Sequence, residues 1–257
     1  RMNLGIEGQA AVVVGGASGI GKAIAEAFAE EGCDVGVVDL AESTDSNALQ
    51  ADVRDYAAMQ DTAKTFRERF GRIDHAVFAA GMGSGKYGFP FWNLEPSDWE
   101  DTLRVNLVGG VNFAHAHVPH LIEQGEGSLL FLSSVAGQIG SPTDPPYSAA
   151  KAANINFAQC VAKDLAGNGI RVNTICPGMI ETPLNRGVWQ AWNDRQAEDA
   201  KQDYHEWAAG KISSVVPLGR WQQPEDVADM AVFLSSQRSH NVTGQTINVD
   251  GGFIMHS

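Results

Sequence analysis

Tyr147 and Lys151 stand four residues apart in the segment Tyr-Ser-Ala-Ala-Lys. On a helix this spacing places the two side chains one above the other on a single face. An ammonium group beside a phenol favours the phenolate, so Lys151 is expected to bring a tyrosine pKa of about 10 toward working pH. Ser134, thirteen residues before Tyr147, ends a strand pattern. The tyrosine and lysine therefore predict a usable general acid and base.

A glycine-rich turn follows the first apolar strand pattern and precedes a helix pattern. It reads Val-Gly-Gly-Ala-Ser-Gly-Ile-Gly from Val14 to Gly21. Glycines let the backbone approach a pyrophosphate closely, and the free N–H groups and positive end of the helix stabilise its charge. Spacing alone leaves open a tight turn with no ligand. The order of strand, turn and helix favours a dinucleotide site.

Asp39 ends the second strand pattern about twenty residues past the glycine turn. A carboxylate in that place can accept hydrogen bonds from the adenosine ribose hydroxyls and would repel a 2′-phosphate. No Lys or Arg lies between Asp39 and Arg54, and Ser18 occupies the turn where a basic residue could stand. We therefore predict a preference for NAD over NADP.

Short apolar runs alternate with longer helical patterns along the chain. Apolar residues on both faces of the strands suit a parallel sheet covered by helices on both sides, which predicts a doubly wound α/β fold in a single domain, 1–257. The predicted strands are 10–14, 34–39, 73–80, 128–133, 170–176 and 246–249, and the predicted helices are 20–31, 56–70, 97–123, 147–166 and 224–235.

Two segments interrupt this alternation. Only twelve residues separate Asp39 from Asp52, too few for an ordinary crossover with its helix, so we expect that helix to be eroded. The segment 182–216 carries Trp189, Trp192 and Trp207 among polar residues. Its helical stretch, 188–209, and its aromatic residues predict an ordered lid rather than a flexible linker.

Composition limits the classes of protein that the chain can represent. A formal charge of −13, with only 18 basic residues, argues against nucleic-acid binding. No apolar run approaches the roughly 20 residues of a membrane span. The odd number of cysteines without metal-ligand spacing favours a reducing compartment, and no secretion signal opens the chain, so we expect a cytoplasmic protein.

The motifs together resemble those of the short-chain dehydrogenase/reductase family, whose glycine loop, Asn, Ser, Tyr-x-x-x-Lys and Pro-Gly motifs recur here in order. The resemblance implies a Rossmann fold with a seven-stranded sheet and a helical substrate lid. It implies that Ser134 polarises the substrate oxygen, Tyr147 exchanges its proton, and Lys151 binds the nicotinamide ribose and acidifies Tyr147. Asn106 matches the family residue that holds a water connecting Lys151 to solvent.

The same resemblance assigns the cofactor contacts along the chain. They are Gly15, Ala17, Ser18, Gly19, Ile20, Gly21, Asp39, Leu40, Asp52, Val53, Ala80, Gly81, Tyr147, Lys151, Pro177, Gly178, Ile180 and Thr182. Asp52 and Val53 match the adenine-binding pair, whereas Ile180 and Thr182 match residues at the carboxamide end. The chain departs from the family at Val14, where Thr is usual, at Ala79, where Asn is usual, and in the short stretch after Asp39.

Substrate specificity is expected from the loop after Gly81, from the residues between Ser134 and Tyr147, and from the lid. The aromatic loop 82–92 either wraps one edge of a substrate or packs against a neighbouring subunit. Lys86 and Arg186 could meet an anionic group, although a solvated charge is the commoner outcome.

His115, His117 and His120 do not share a metal-binding spacing, and we predict no metal. The resemblance implies a homodimer or homotetramer packed through the helices 97–123 and 147–166.

These observations predict an enzyme that transfers hydride between NAD(H) and the carbon of an alcohol or ketone, with secondary alcohols, polyols and sugars as expected substrates. A non-catalytic NAD-sensing or scaffold protein on the same fold is the alternative; the retained Tyr147 and Lys151 argue against it. Epimerases and dehydratases among the extended relatives need a longer C-terminal substrate domain than 257 residues provide. The direction of the reaction is not set by these residues.

Overall fold

The computed structural model describes residues 3–86, 88, 90–140 and 143–255 of the 257-residue chain. Tyr87 and Phe89, in the aromatic loop, lie outside the described residues. The strands are β1 Ala10–Val14, β2 Asp34–Asp39, β3 Ala48–Gln50, β4 His75–Phe78, β5 Gly127–Leu132, β6 Ile170–Pro177 and β7 Thr246–Val249. These described strands form one seven-stranded parallel sheet in the spatial order β3-β2-β1-β4-β5-β6-β7, which confirms the predicted fold class.

Helices cover both faces of this sheet. They are α1 Gly19–Glu30, α2 Tyr56–Phe70, α3 Glu100–Leu103, α4 Gly109–Gln124, α5 Pro145–Leu165, α6 Pro183–Asn193, α7 Tyr204–Val215 and α8 Pro224–Ser235. Because side chains alternate along a strand, Ala11 and Val13 pack against α1 and α8, whereas Val12 and Val14 pack against α2, α4 and α5. The fully buried β1 is apolar at every position for this reason.

The connection between β2 and β3 contains no helix, as the twelve-residue spacing predicts. Side-chain hydrogen bonds hold it instead. Arg69, in the last turn of α2, donates to the carbonyl of Ser46, and Gln50 Nε2 donates to the carbonyl of Leu40 at 2.9 Å. This edge of the sheet is therefore bordered by a short loop.

The predicted helix 97–123 is not one regular helix. A 3₁₀ turn, Pro96–Trp99, leads into α3, and a π-helical turn, Arg104–Val108, separates α3 from α4. Asn106 lies in that π turn, a type of helix irregularity that is frequent at functional sites. Sequence periodicity indicates a helix here but cannot reveal the extra residue in one turn.

The lid, predicted as a helical stretch over 188–209, consists of two helices, and the expectation of one stretch was wrong. Residues 194–203, which include a short 3₁₀ helix, Glu198–Ala200, separate α6 from α7. Asp203 caps α7 by accepting the N–H groups of His205 and Glu206 at 2.8 and 3.0 Å. Tyr204 and Trp207 are buried in a small apolar cluster between the two helices. The segment 182–216 thus has a small apolar core of its own.

No helix in the described part of the chain is both long enough and apolar enough to cross a membrane.

Candidate active site

The glycine turn packs closely against the loop that follows β4. Gly15 has a φ of +86°, and a Cβ atom there would overlap the backbone of Ala80. A Cβ on Gly21 would overlap the carbonyl of Gly15. These two glycines are therefore required by the close approach of three backbone segments at the carboxyl end of the sheet.

The N-terminus of α1 fits a phosphate group. The N–H groups of a helix's first turn have no partner within the helix, and the side chain of Ser18, the N-cap residue, does not cap them. Thr182 faces this end of the helix, since its methyl carbon would lie 3.6 Å from a Cβ on Gly19. Free donors and the positive helix end suit the pyrophosphate of a dinucleotide.

Asp39 reaches the same turn from the end of β2. Its Oδ2 accepts the N–H of Ala17 at 3.0 Å, and its Oδ1 accepts the N–H of Ala41 at 3.1 Å. No ion pair joins Asp39 to a Lys or Arg among the described residues. The carboxylate therefore brings an uncompensated negative charge to the glycine turn.

The predicted adenine pair lies on the other side of this region. Arg54 donates to both oxygens of the Asp52 carboxylate, at 2.7 Å from Nη2 to Oδ2, and holds the pKa of Asp52 below its usual value. Val53 is buried against Gly109, whereas Leu40 is 63% exposed. An adenine ring here would meet a carboxylate that already has a partner.

Ser134, Tyr147 and Lys151 come together at the carboxyl end of the sheet. Ser134 follows β5 and caps the short 3₁₀ turn after it by accepting the N–H of Ala136 at 3.1 Å. Tyr147 lies in the first turn of α5, and a hydrogen bond from Ser134 opposes the rise of its pKa. The Lys151 Nζ lies 5.5 Å from the centre of the Tyr147 ring. The predicted helix face is thus present.

Lys151 is buried, and no carboxylate of the described residues forms an ion pair with it. Its Nζ donates to the carbonyl of Leu132 at 2.7 Å, and burial lowers its pKa to about 8. A Cβ on Gly81 would lie 3.2 Å from this Nζ, so Gly81 leaves room for the ammonium group. The lysine thus lies where the loop after β4 begins.

The pKa of Tyr147 differs from the sequence-based expectation. Burial raises it to about 12, the hydrogen bond with Ser134 lowers it, and nearby Asp144 and Cys176 raise it further. Lys151 directs its ammonium toward the carbonyl of Leu132. A lowered tyrosine pKa is therefore not a property of this structure, because desolvation of the phenolate exceeds the opposing effects.

Asn106 binds the loop after β4 through its whole side-chain amide. Its Nδ2 donates to the carbonyls of Met82 and Thr102 at 2.7 and 2.8 Å, and its Oδ1 accepts the N–H of Met82 at 3.2 Å. Its own carbonyl accepts Asn154 Nδ2 at 3.0 Å. Asn106 therefore positions the loop beside Lys151; the water-holding role implied by the resemblance stays a prediction.

The segment after β6 connects the glycine turn to the lid. Pro177 ends β6, and a Cβ on Gly178 would come within 2.8 Å of the Asp250 backbone. Ile180 is buried, and Thr182 caps α6 by accepting the N–H of Asn185 at 3.2 Å. Both predicted carboxamide-end residues thus lie between the glycine turn and the first lid helix.

Several residues near the site escaped the sequence analysis. Asp144 lies one helical turn before Tyr147, and this spacing of three residues was the signal that could have revealed it. Gln138 exchanges two hydrogen bonds with Asn248, at 2.7 and 2.9 Å. Cys176 is fully buried beside Ser133 and Ser134, and burial raises its pKa to about 11. Contacts between distant segments place the last two residues, so no local spacing indicates them.

The other candidate residues have partners of their own. Lys86 forms an ion pair with Asp98 at 2.7 Å, and the Arg186 guanidinium lies 4.5 Å from the centre of the Tyr204 ring. Within the described residues no group of three or more His, Cys, Asp and Glu side chains could hold a metal ion. A concave region of about 440 Å³ lies away from the tyrosine, between α8 and the chain after β7.

Comparison with known proteins places this geometry in context. Residues 15–254 match a short-chain dehydrogenase family model described as enoyl-(acyl carrier protein) reductase. The chain is 35% identical to the 3-oxoacyl-[acyl-carrier-protein] reductase FabG of Thermotoga maritima, over 97% of this chain and 99% of the relative. It is 32% identical to the D-threitol dehydrogenase of Mycolicibacterium smegmatis, over 96% of this chain and 94% of the relative.

A solved structure shows the same architecture. The aldohexose dehydrogenase of Thermoplasma acidophilum, in ligand-free form, superposes with a TM-score of 0.86 at 26% identity, covering 99% of this chain and 97% of that one. The family match extends over nearly the whole chain and includes the segments that carry the glycine turn, Ser134, Tyr147 and Lys151. The protein therefore belongs to the short-chain dehydrogenase/reductase family.

Proposed function

We propose that this member of an oxidoreductase family transfers hydride between NAD(H) and the carbinol or carbonyl carbon of an alcohol or ketone. The observation that supports it most is the proximity of Ser134, just after β5, to the Tyr147 phenol on α5, whose ring also lies 5.5 Å from Lys151 Nζ. A proton-exchanging phenol with a neighbouring hydroxyl is suited to binding and protonating one oxygen atom.

Each residue has a separate task in the proposed reaction. During oxidation, the Ser134 hydroxyl binds the alcohol oxygen, Tyr147 first loses its own proton to solvent, and the resulting phenolate oxygen takes the proton of the alcohol. Reduction reverses these steps. Lys151, charged below its pKa of about 8, would stabilise the negative charge that develops on the Tyr147 oxygen during proton exchange. NAD, held by the glycine turn, Asp39 and the segment after β6, would supply the hydride acceptor.

The preference for NAD is part of the proposal. It is supported by the uncompensated charge of Asp39, whose carboxylate lies against the glycine turn. A 2′-phosphate bound there would face like charge at close range.

Polyols and sugars are the substrates that we propose. Two relatives support this class, since their names specify D-threitol and aldohexoses. A third relative is named for a 3-oxoacyl group on acyl carrier protein, so a 3-oxoacyl thioester belongs in the test as the competing class.

The proposed function is tested by absorbance at 340 nm. The protein is incubated with NAD and a panel of secondary alcohols, polyols and sugars, and with NADH and 3-oxoacyl thioesters. Tyr147→Phe should reduce kcat by about 100- to 10,000-fold, the usual contribution of a general acid or base. Tyr56→Phe, at an exposed tyrosine, is the matched control and should leave the rate unchanged.

Two results would contradict the proposal. Full activity in Tyr147→Phe would exclude the tyrosine as the proton carrier. NAD binding without turnover in either direction, across the whole panel, would support the non-catalytic NAD-sensing alternative.

We further propose a cytoplasmic homodimer or homotetramer associated through α4 and α5. Val108 and Ile122, beside and on α4, are 45% and 42% exposed, which leaves apolar surface available for a partner. Light scattering after size-exclusion chromatography tests the assembly, and a monomer at micromolar concentration would contradict it.

A further inference from the structure

The loop after β4 runs beside the start of α5 and is attached at several points. At its start, the Asn106 side chain holds both the N–H and the carbonyl of Met82. Two residues later, the Ser84 N–H donates to Asp144 Oδ2 at 2.7 Å. The segment from Gly81 to Ser84 therefore runs from Lys151 and Asn106 to Asp144, which lies three residues before Tyr147.

Asp144 is an unusual residue to find at this position. Its side chain is buried, with 8% of the residue exposed, and its Oδ1 has no hydrogen-bond partner among the described residues. No ion pair with Lys or Arg is found for it in the described part of the chain. An unpaired buried carboxylate is costly, so the contact with Ser84 matters to this part of the structure.

The loop itself is adapted to the contact. Gly83 has an ordinary φ, yet a Cβ there would lie 2.8 Å from Asp144 Oδ2, closer than the carboxylate allows. Farther along, the Gly88 N–H donates to the carbonyl of Thr143 at 2.8 Å. Backbone and side-chain contacts thus hold this loop against the start of α5.

We propose that Asp144 is a positioning residue that fastens the loop after β4 to the first turn of α5, and so fixes the wall of the substrate site beside Tyr147. Gly81 lies beside the Lys151 ammonium, and Ser84 is bonded to Asp144, the N-cap residue of α5. The fastened loop therefore spans the part of the chain that carries Tyr147, where a substrate would approach the tyrosine. The kinetic consequences rest on the proposed function, whereas the loop contact does not.

The first test measures the contact without using activity. Hydrogen exchange of the Ser84 amide should be about tenfold or more faster in Asp144→Ala, the effect of losing a hydrogen bond to a charged group. Asp144→Asn keeps an acceptor oxygen and should retain most of the protection. Asp164→Asn, at an exposed position on the same helix, is the matched control. Equal exchange in Asp144→Ala and the wild type would overturn the proposal.

The second test is a double-mutant cycle in KM. Gly83→Ala should raise the substrate KM about tenfold in the wild type, since the new methyl group displaces the carboxylate from Ser84. In the Asp144→Ala background, where the obstructing oxygen is absent, Gly83→Ala should have little further effect. Equal increases in both backgrounds would show that Gly83 acts independently and would overturn the proposal.

The third test separates positioning from a purely structural role. Tyr147 is faced by Ser134 after β5, by Asp144 just before α5, by Lys151 on α5, and by Cys176 on β6. Removing the Asp144 charge should move the tyrosine-dependent limb of the pH profile toward lower pH by about half a unit or more in Asp144→Asn. An unchanged profile would contradict the placement beside Tyr147. If no variant turns anything over, the proposed function fails, and the exchange result still decides whether the contact exists.

Discussion

Replacing His75 should remove about 2 kcal/mol of the protein's loss of stability between pH 7.5 and pH 5. The imidazole ring of His75, at the start of β4, is buried. Its Nδ1 lies 2.8 Å from Ser128 Oγ, and its Nε2 lies 2.7 Å from Gln9 Oε1. It also stacks on Phe28 with 5.4 Å between ring centres. Burial lowers the pKa of His75 to about 4 from the ordinary 6.5.

The sign of the effect follows from this lowered pKa. Above pH 6.5 the histidine is neutral in both the folded and the unfolded chain, so its contribution to stability is complete. As the pH falls from 6.5 toward 4, the unfolded chain binds a proton that the folded chain does not. The linkage amounts to about 2 kcal/mol at pH 5 and about 3 kcal/mol below pH 4.

His117 contributes to the same pH window. It is fully buried on α4, its Nδ1 lies 2.9 Å from the Phe113 carbonyl, and burial lowers its pKa to about 4. The two histidines together predict a loss of about 4 kcal/mol in the free energy of unfolding between pH 7.5 and 5. In a variant that lacks His75 and keeps His117, about 2 kcal/mol of that loss should remain.

Urea denaturation of wild type and His75→Gln at both pH values, at one fixed protein concentration, measures this difference. The glutamine amide can accept from Ser128 and donate to Gln9, which limits the damage at neutral pH. His240→Gln, at an exposed histidine, is the matched control and should behave as the wild type. A His75→Gln variant that loses as much stability as the wild type, within about 0.5 kcal/mol, would refute the reasoning.

Three further predictions concern the cofactor site and the thiols. Asp39→Ser should lower the ratio of kcat/KM for NAD over NADP by about tenfold or more, because the charge that repels a 2′-phosphate is removed. Steady-state kinetics with both cofactors measures this ratio, and an unchanged ratio would contradict the predicted role of Asp39. Gly15→Ala should lower Tm and abolish NAD binding, because the alanine Cβ would overlap the neighbouring backbone at a position whose φ is +86°. Calorimetry measures both quantities, and NAD affinity equal to that of the wild type would contradict the prediction. Ellman's reagent at pH 8 should label Cys160 in the native protein and leave Cys33 and Cys176 unlabelled until urea is added, because burial raises their pKa values to about 12 and about 11.

Local patterns in the sequence were enough to predict much of this protein. The sheet follows from apolar runs buried on both faces, and β1, β2 and β7 have the predicted bounds because each run ends at a turn. The shared face of Tyr147 and Lys151 follows from a spacing of four residues on one helix. The missing helix between β2 and β3 follows from chain length alone.

Tertiary structure determines the burial and the charge environment of those residues. Whether Lys151 lowers the pKa of Tyr147 depends on desolvation and on where the ammonium points, and neither is a property of spacing. The sequence places Trp207 in the lid, from which substrate specificity is expected, but the structure buries its side chain in the core of the lid. The contact between Asp144 and Ser84 joins residues 60 positions apart. Patterns with a period of two or about four residues report neighbours along one element, whereas burial and charge arise from segments that meet only after folding.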